Sequence, residues 1–241
     1  MSESSQASPA WQVLPQGDHT LILSFGSGIS QATGQRCLNA AARLRAAALP
    51  GVQDIVPTFN SVALHYQLQA HSDIPCVATL IERVNAILSA SSLDDTLTTP
   101  QIIEIPVCYE GEYAPDLDAV AAHCHMTTAD VIALHSSEPV TVFMLGFAPG
   151  APYMGLHDAR LSIGRRATPR TLVPAGSIAI ANRQSIVYPN DLPGGWQIIG
   201  ATPVNMFDPT HSPPTRVAPG DKVQFVPIDT ATFKRLKGQT P

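Results

Sequence analysis

Arg165, Arg166 and Arg170 form the densest cationic cluster in a chain that has only 14 lysines and arginines. Pro169 and Pro174 keep this segment extended, because the residue before a proline is pushed out of helical geometry. Alternate residues of an extended segment share a face, which predicts that Arg166, Thr168 and Arg170 point together and Arg165 points away. Two guanidinium groups on one face suit a carboxylate or a phosphate. The same pair would equally satisfy carboxylates or loop carbonyls within a proline-rich region. The alternation continues at Gln184, Ile186 and Tyr188, where Gln184 and Tyr188 can orient a small polar ligand by hydrogen bonds. Alternatively, Tyr188 before Pro189 covers the end of a barrel. Trp196, flanked by Ile198 and Ile199, reads as core. His157-Asp158 suggests an acid–base pair, although adjacent strand residues face opposite sides. The candidate substrate-binding residues are therefore Arg166, Arg170, Gln184 and Tyr188, and no catalytic residue is assigned.

Several common reaction centres are missing. The Gly26-Ser27-Gly28 turn lies between a strand and a helix, but it lacks the lysine of a phosphate loop and the later glycine of a dinucleotide fingerprint. No GxSxG elbow, HExxH motif or EF-hand loop occurs. Cys37, Cys76, Cys108 and Cys124 are widely spaced with no CxxC pair, which predicts reduced thiols. His123-Cys124-His125 cannot close on one ion from a helix, since residues one and two apart face different ways. No metal site is expected.

The elements that must position the arginines follow from periodicity and turn chemistry. Thr20 to Phe25 is a strand candidate, and Ser30 caps a helix from Gln31 to Leu49 that Pro50-Gly51 ends. Val52–Thr58 and Val62–Leu68 form a hairpin, and a second helix is expected from Pro75 to Leu88. This order makes most of a split βαβ, ferredoxin-like unit, which needs one more strand. Ile102 to Tyr109 either supplies it or opens the next domain. The polar stretch Ser89 to Gln101 is the expected linker, giving an N-terminal α+β domain over 1–98 and a second domain over 99–241. Short helices are expected over Pro115–His123 and Thr127–His135. Beyond them, Pro139 to Gly220 holds 12 of the 22 prolines and 9 of the 16 glycines, so its apolar runs are too short for helices. Strands over Val140–Leu145, Gly176–Ala181, Ser185–Tyr188, Trp196–Ile199, Val204–Phe207 and Lys222–Ile228 predict an antiparallel barrel or sandwich.

Hydrophobic residues at 44% and charged residues at 14% predict a folded chain rather than a disordered one. A net charge of −5 offers no basic field for nucleic acid or an anionic membrane. The start, MSESSQASPAWQ, has neither a basic region nor an apolar core of an export signal, and no run approaches a membrane span. A cytoplasmic location is expected.

The succession GFAPGAPYMGL, RRATPRTLVPAGSIAIA, YPNDLPGGWQIIGATPVNMFDP and PGDKVQFVPI, with IPVCYEGEYAPDLDAVAAH upstream, resembles the KipI family, also called allophanate hydrolase subunit 1 or the B-type subunit of 5-oxoprolinase. The resemblance covers nearly the whole chain. It implies an N-terminal α+β domain followed by a cyclophilin-like β-barrel. It also implies a component of an ATP-dependent 5-oxoprolinase, working with a KipA-like C-type subunit and an A-type subunit to open 5-oxoproline to glutamate, with ATP shared among the subunits and the chain alone inactive. Two other activities are known in the family: inhibition of a sensor histidine kinase, and carboxyl transfer as in urea carboxylase. The chain departs from the family pattern at two places. Gly150-Ala151-Pro152-Tyr153-Met154 stands where GFPYL is usual, and Asn182-Arg183-Gln184-Ser185 stands where a GGQTG-like turn is usual. Arg183 adds positive charge near the arginine segment, so a shifted substrate preference is expected.

Overall fold

The computed structural model describes residues 11–69, 73–74, 76–94 and 100–238. Pro75, the first residue of the expected second helix, and residues 95–99 of the expected linker lie outside the described residues. The chain divides into two compact units, residues 1–99 and 100–241.

The first unit contains β1 (Gln12–Gln16), β2 (Thr20–Ser24), α1 (Gln31–Ala46), β3 (Val52–Pro57), β4 (Ser61–Tyr66) and α2 (Val77–Ser89). The Ser30 hydroxyl caps α1 by accepting the Thr33 N–H at 3.0 Å. Cys37, Ala41 and Leu44 then bury one face of that helix, and Leu80, Val84 and Leu88 recur at helical spacing on α2. These residues meet Leu21, Leu23, Val62 and Leu64 of the sheet in one core. Strand order is β1-β2-β4-β3 with every pair antiparallel. The split βαβ arrangement is present in β2, α1, β3 and β4. The strand beside β2, however, is β1, which precedes the motif, and not a strand after α2. The ferredoxin-like order expected from the sequence is corrected accordingly: of the two places open to Ile102–Tyr109 it takes the second, in the next unit, and Gln12–Gln16, where no strand was expected, lies beside β2.

The second unit begins with β5 (Ile102–Cys108), α3 (Leu117–His123) and α4 (Thr128–Ser136), the last started by a capping box between Thr127 and Asp130. There follow β6 (Val140–Leu145), β7 (Pro152–Gly155), β8 (Arg170–Val173), β9 (Ser177–Ala181), β10 (Gln184–Val187), β11 (Leu192–Gly194), β12 (Gln197–Ala201), β13 (Lys222–Ile228) and α5 (Thr230–Lys237). Seven of these strands close a barrel in the order β10-β7-β6-β13-β5-β12-β9. Inward residues from all seven, including Ile105, Val142, Met154, Ile180, Val187, Ile199 and Phe225, share a core with Leu117 and Val120 of α3 and Val131 of α4.

The barrel departs from the expected antiparallel form at one seam, where β13 and β5 pair in parallel from Lys222↔Ile102 to Ile228↔Cys108. The expected strand Val204–Phe207 is instead a loop with a single bridge, Phe207↔Thr215, because the prolines around it remove ladder donors. The short sheet β8–β11 covers the outer face of β9, β10 and β12 through Val173 and Leu192, which pack with Ala179, Ile186 and Ile198. Strand β9 is consequently buried on both faces, which explains its unbroken apolar run Ile178-Ala179-Ile180-Ala181.

Candidate functional site

Arg166 and Arg170 converge on Asp116, a residue that sequence reasoning missed. Arg170 grips its carboxylate with both terminal nitrogens, Nη1 to Oδ2 at 2.8 Å and Nη2 to Oδ1 at 2.7 Å, and Arg166 Nη1 donates to Oδ1 at 2.9 Å. A fourth bond comes from the Ile198 N–H to Oδ2 at 2.7 Å. Asp116 is 4% exposed, and its own N–H donates to the Ile198 carbonyl, so the start of α3 is stitched to β12. A carboxylate has about four acceptor positions, and all four are used. Two guanidiniums against one carboxylate leave one positive charge uncompensated, on side chains that remain 35% and 24% exposed. Arg166 Nε is buried without a hydrogen-bond partner. The available signal for Asp116 was weak: an acid at the start of a helix reads as a cap, yet its side chain makes no capping bond.

Arg165 turns away from this pair and lies 5.7 Å above the Trp196 ring. Trp196 meets Tyr153 edge-on at 5.7 Å, and Tyr188 meets Phe147 edge-on at 6.4 Å. Tyr188 and Trp196 are buried, within a cluster that also contains Ile186 and Ile198. Burial raises the Tyr153 and Tyr188 hydroxyls above the usual phenol range, so both stay protonated as hydrogen-bond donors at neutral pH. Ile186 and Tyr188 occupy the outer face of the barrel as the alternation predicts, with Gln184 two residues before them and nearly buried. Phe147, by contrast, is 60% exposed and has φ +70°, a conformation rare for a bulky residue.

Inside the barrel a second polar group forms a chain. The Tyr109 hydroxyl bonds His135 Nδ1 at 2.7 Å, and the Ser185 Oγ bonds both His135 Nε2 at 2.9 Å and His157 Nε2 at 2.6 Å. The two imidazoles stack at 4.7 Å, and His135 stacks on Phe225 at 4.3 Å. Burial depresses the His157 pKa to about 4, helped by Arg183, and drives His135 well below its ordinary value, helped by His157. Both rings are neutral at pH 7, which allows each to donate from one nitrogen and accept at the other. His157 therefore pairs with Ser185 and not with Asp158, whose carboxylate faces Arg160 at 3.0 Å. Ser185 is wholly buried, so this chain braces β10 against α4 rather than meeting a solute. The turn before β10 supports it: Asn182 and Arg183 have φ +50° and +66°, as a two-residue hairpin turn requires, and Arg183 Nε donates to the His157 carbonyl at 2.9 Å.

Residues 11–217 match the family "Carboxyltransferase domain, subdomain C and D". The chain belongs to this family, and within it to the KipI group, the B-type subunits of 5-oxoprolinase. It is 35% identical over 235 residues to the B-type 5-oxoprolinase subunit of Bacillus subtilis (strain 168), covering 95% of this chain and 98% of that one. It is 38% identical to the protein of the same name from Escherichia coli O157:H7, covering 88% and 93%. Among solved structures it is similar to TTHA0988, with 32% identity and a TM-score of 0.74 over 88% of this chain. The chain spans only 40% of the length of TTHA0988. The Kluyveromyces lactis urea carboxylase shares the fold at 16% identity and a TM-score of 0.71, covering 93% of this chain and 22% of that one.

Proposed function

We propose that the chain is a non-autonomous component of an ATP-dependent 5-oxoprolinase, which opens the lactam of 5-oxoproline to glutamate together with a KipA-like C-type subunit and an A-type subunit. The observation that carries this reading is the near full-length match, 95% of this chain against 98% of the relative, to a protein named as the B-type subunit of 5-oxoprolinase. On this reading the barrel is of the cyclophilin-like kind, and the protein works in the cytoplasm. Among the described residues no helix is long and apolar enough to cross a membrane.

The glycine turn before α1 (Gln31–Ala46) does not fit a nucleotide. At the glycine turn before α1, the Ser30 hydroxyl is already spent on the helix cap, and the nearest following basic residue, Arg36, is paired with Asp94 at 2.7 Å. On this reading ATP is shared with the partner subunits, and this turn is not where it is held. What this chain contributes is an electrostatic and positioning surface. Arg166 and Arg170, fixed by Asp116, present their remaining N–H groups and one net positive charge to an anionic group, while Gln184 and Tyr188, both buried, would orient the ligand from the barrel wall. Preorganised charge of this kind stabilises negative charge that develops on an activated amide oxygen. Arg166→Ala with Arg170→Ala, assembled with both partner subunits, is expected to lower kcat/KM for 5-oxoproline by at least about tenfold. Unchanged turnover would remove the pair from the site.

The family description favours a second reading, a carboxyl-transfer subunit. It predicts a biotin-dependent partner and bicarbonate-dependent ATP consumption, which the same assembled complex can be assayed for.

A further inference from the structure

We propose that segment 204–216 encloses a second ligand site, one that takes a small cyclic carboxylate, with Arg216 holding the carboxylate group. The inference rests on the 5-oxoprolinase reading for the identity of its natural ligand, and on the segment itself for the site.

This segment lines a half-open groove of about 620 Å³, a size that suits a small organic molecule. Its frame is closed by backbone bonds. Asp208 N–H donates to the Pro214 carbonyl at 2.8 Å, Arg216 N–H donates to the Met206 carbonyl at 3.0 Å, and Phe207 bridges Thr215. A loop pinned at both ends in this way, with Pro213 and Pro214 between the pins, loses little freedom when a ligand enters. Met206, Phe207, Pro213 and Pro214 give the cavity an apolar wall suited to ring carbons.

The charge balance decides the sign of the ligand. Asp208 is already satisfied: its Oδ1 accepts from the Thr210 N–H at 2.9 Å and hydroxyl at 2.6 Å, and its Oδ2 faces His211 Nδ1 at 2.8 Å. Those bonds, the Thr210 hydroxyl foremost, hold its pKa below the usual carboxylate range, so it is ionised and internally engaged. Arg216 lines the same cavity, and among the described residues its side chain makes no hydrogen bond or ion pair. The uncompensated group in this cavity is therefore a guanidinium, on a chain whose net charge is −5 and whose overall field does not attract anions. A guanidinium accepts a carboxylate through two parallel N–H bonds. Asn205, also on the lining, carries an amide that can both donate and accept, which matches the C=O and N–H of a lactam.

A second depression, about 480 Å³, adjoins this one and shares Phe207 and Thr215 with it. Its other wall is the loop 145–150, which carries the exposed, left-handed Phe147. Phe147 also touches Tyr188, so the two depressions lead along the barrel surface toward the aromatic cluster. The site is thus separate from the Asp116-centred arginines but lies on the same unit.

Isothermal titration calorimetry of the purified full chain with 5-oxoproline, 2-pyrrolidinone and cyclopentanecarboxylate tests the proposal. Binding of 5-oxoproline is expected, with 2-pyrrolidinone, which lacks the carboxylate, weaker by at least about tenfold. Arg216→Gln should weaken 5-oxoproline by at least about tenfold, and Arg216→Lys should restore part of the loss. Arg216 is solvent-exposed, and an unchanged melting temperature in Arg216→Gln establishes that the fold is intact. No binding of either carboxylate, or equal affinity in Arg216→Gln, overturns the site. Turnover separates the two readings. An assembled complex that consumes 5-oxoproline with an unchanged KM in Arg216→Gln retains the function and removes the site. Arg216-dependent binding of cyclopentanecarboxylate in a complex without turnover retains the site and removes the function.

Discussion

Asp116 changes what the arginine pair means. A buried carboxylate with four donors is costly to disturb, because removing it strands the Ile198 N–H and two guanidiniums that its charge had compensated. Asp116→Asn is expected to destabilise the chain by about 2–3 kcal/mol, read as a lower urea midpoint at constant slope. Arg166→Ala, which removes one bond and an orphaned Nε, should cost about 1 kcal/mol. Equal losses for the two variants would mean that the triad is not centred on Asp116. The buried histidines give a second prediction, with a definite sign. Above pH 6.5 neither the folded nor the unfolded chain carries these protons, and full stability is present. Between 6.5 and about 4 the unfolded chain takes up protons that folded His157 refuses, so stability is lost as the pH falls through that window. The slope is at most about 1.4 kcal/mol per pH unit for each histidine. His157→Gln should flatten the dependence in urea titrations at pH 7.5, 6 and 5, and an unchanged slope would contradict the neutral, buried pair.

At the scale of elements, legibility followed the length and periodicity of each segment. Helix α1, with its Ser30 cap and apolar stripe, was readable from local residues, as were β6 and β13. Strands β7, β8 and β11, of four, four and three residues, were not, because a run that short carries no period. Strand β1 was hidden by Pro15 and its exposed composition, and the parallel seam β5–β13 joins segments that are far apart in sequence and have no local signature. The alternation argument did separate Arg165 from Arg166 and Arg170, but nothing local could reveal that their shared partner lies at the head of α3. Where the loops 145–150 and 204–216 meet, Gly150 has φ +80°, and a Cβ there would fall 2.7 Å from the Phe207 Cβ and 2.9 Å from the Met206 carbonyl oxygen. Gly150→Ala should therefore destabilise by about 2–4 kcal/mol, measured by thermal or urea unfolding. A neutral effect would show that the two loops are not packed together.

For the molecule as a whole, the chemistry-bearing groups fall into sets with different duties. The Tyr109–His135–Ser185–His157 chain is internal and braces the barrel, while the Asp116-bound arginines and the Arg216 cavity face outward with uncompensated positive charge. The Ser185–His157 pair does not reach solvent, since Ser185 is fully buried. On the proposed function the chain by itself should show no measurable ATP-dependent consumption of 5-oxoproline. The most direct test is to co-express it with the proposed KipA-like and A-type subunits and follow 5-oxoproline loss and ADP formation with and without this chain. The account predicts coupled loss of both substrates only when this chain is present. Equal turnover without it, or none with the full set, would contradict the account.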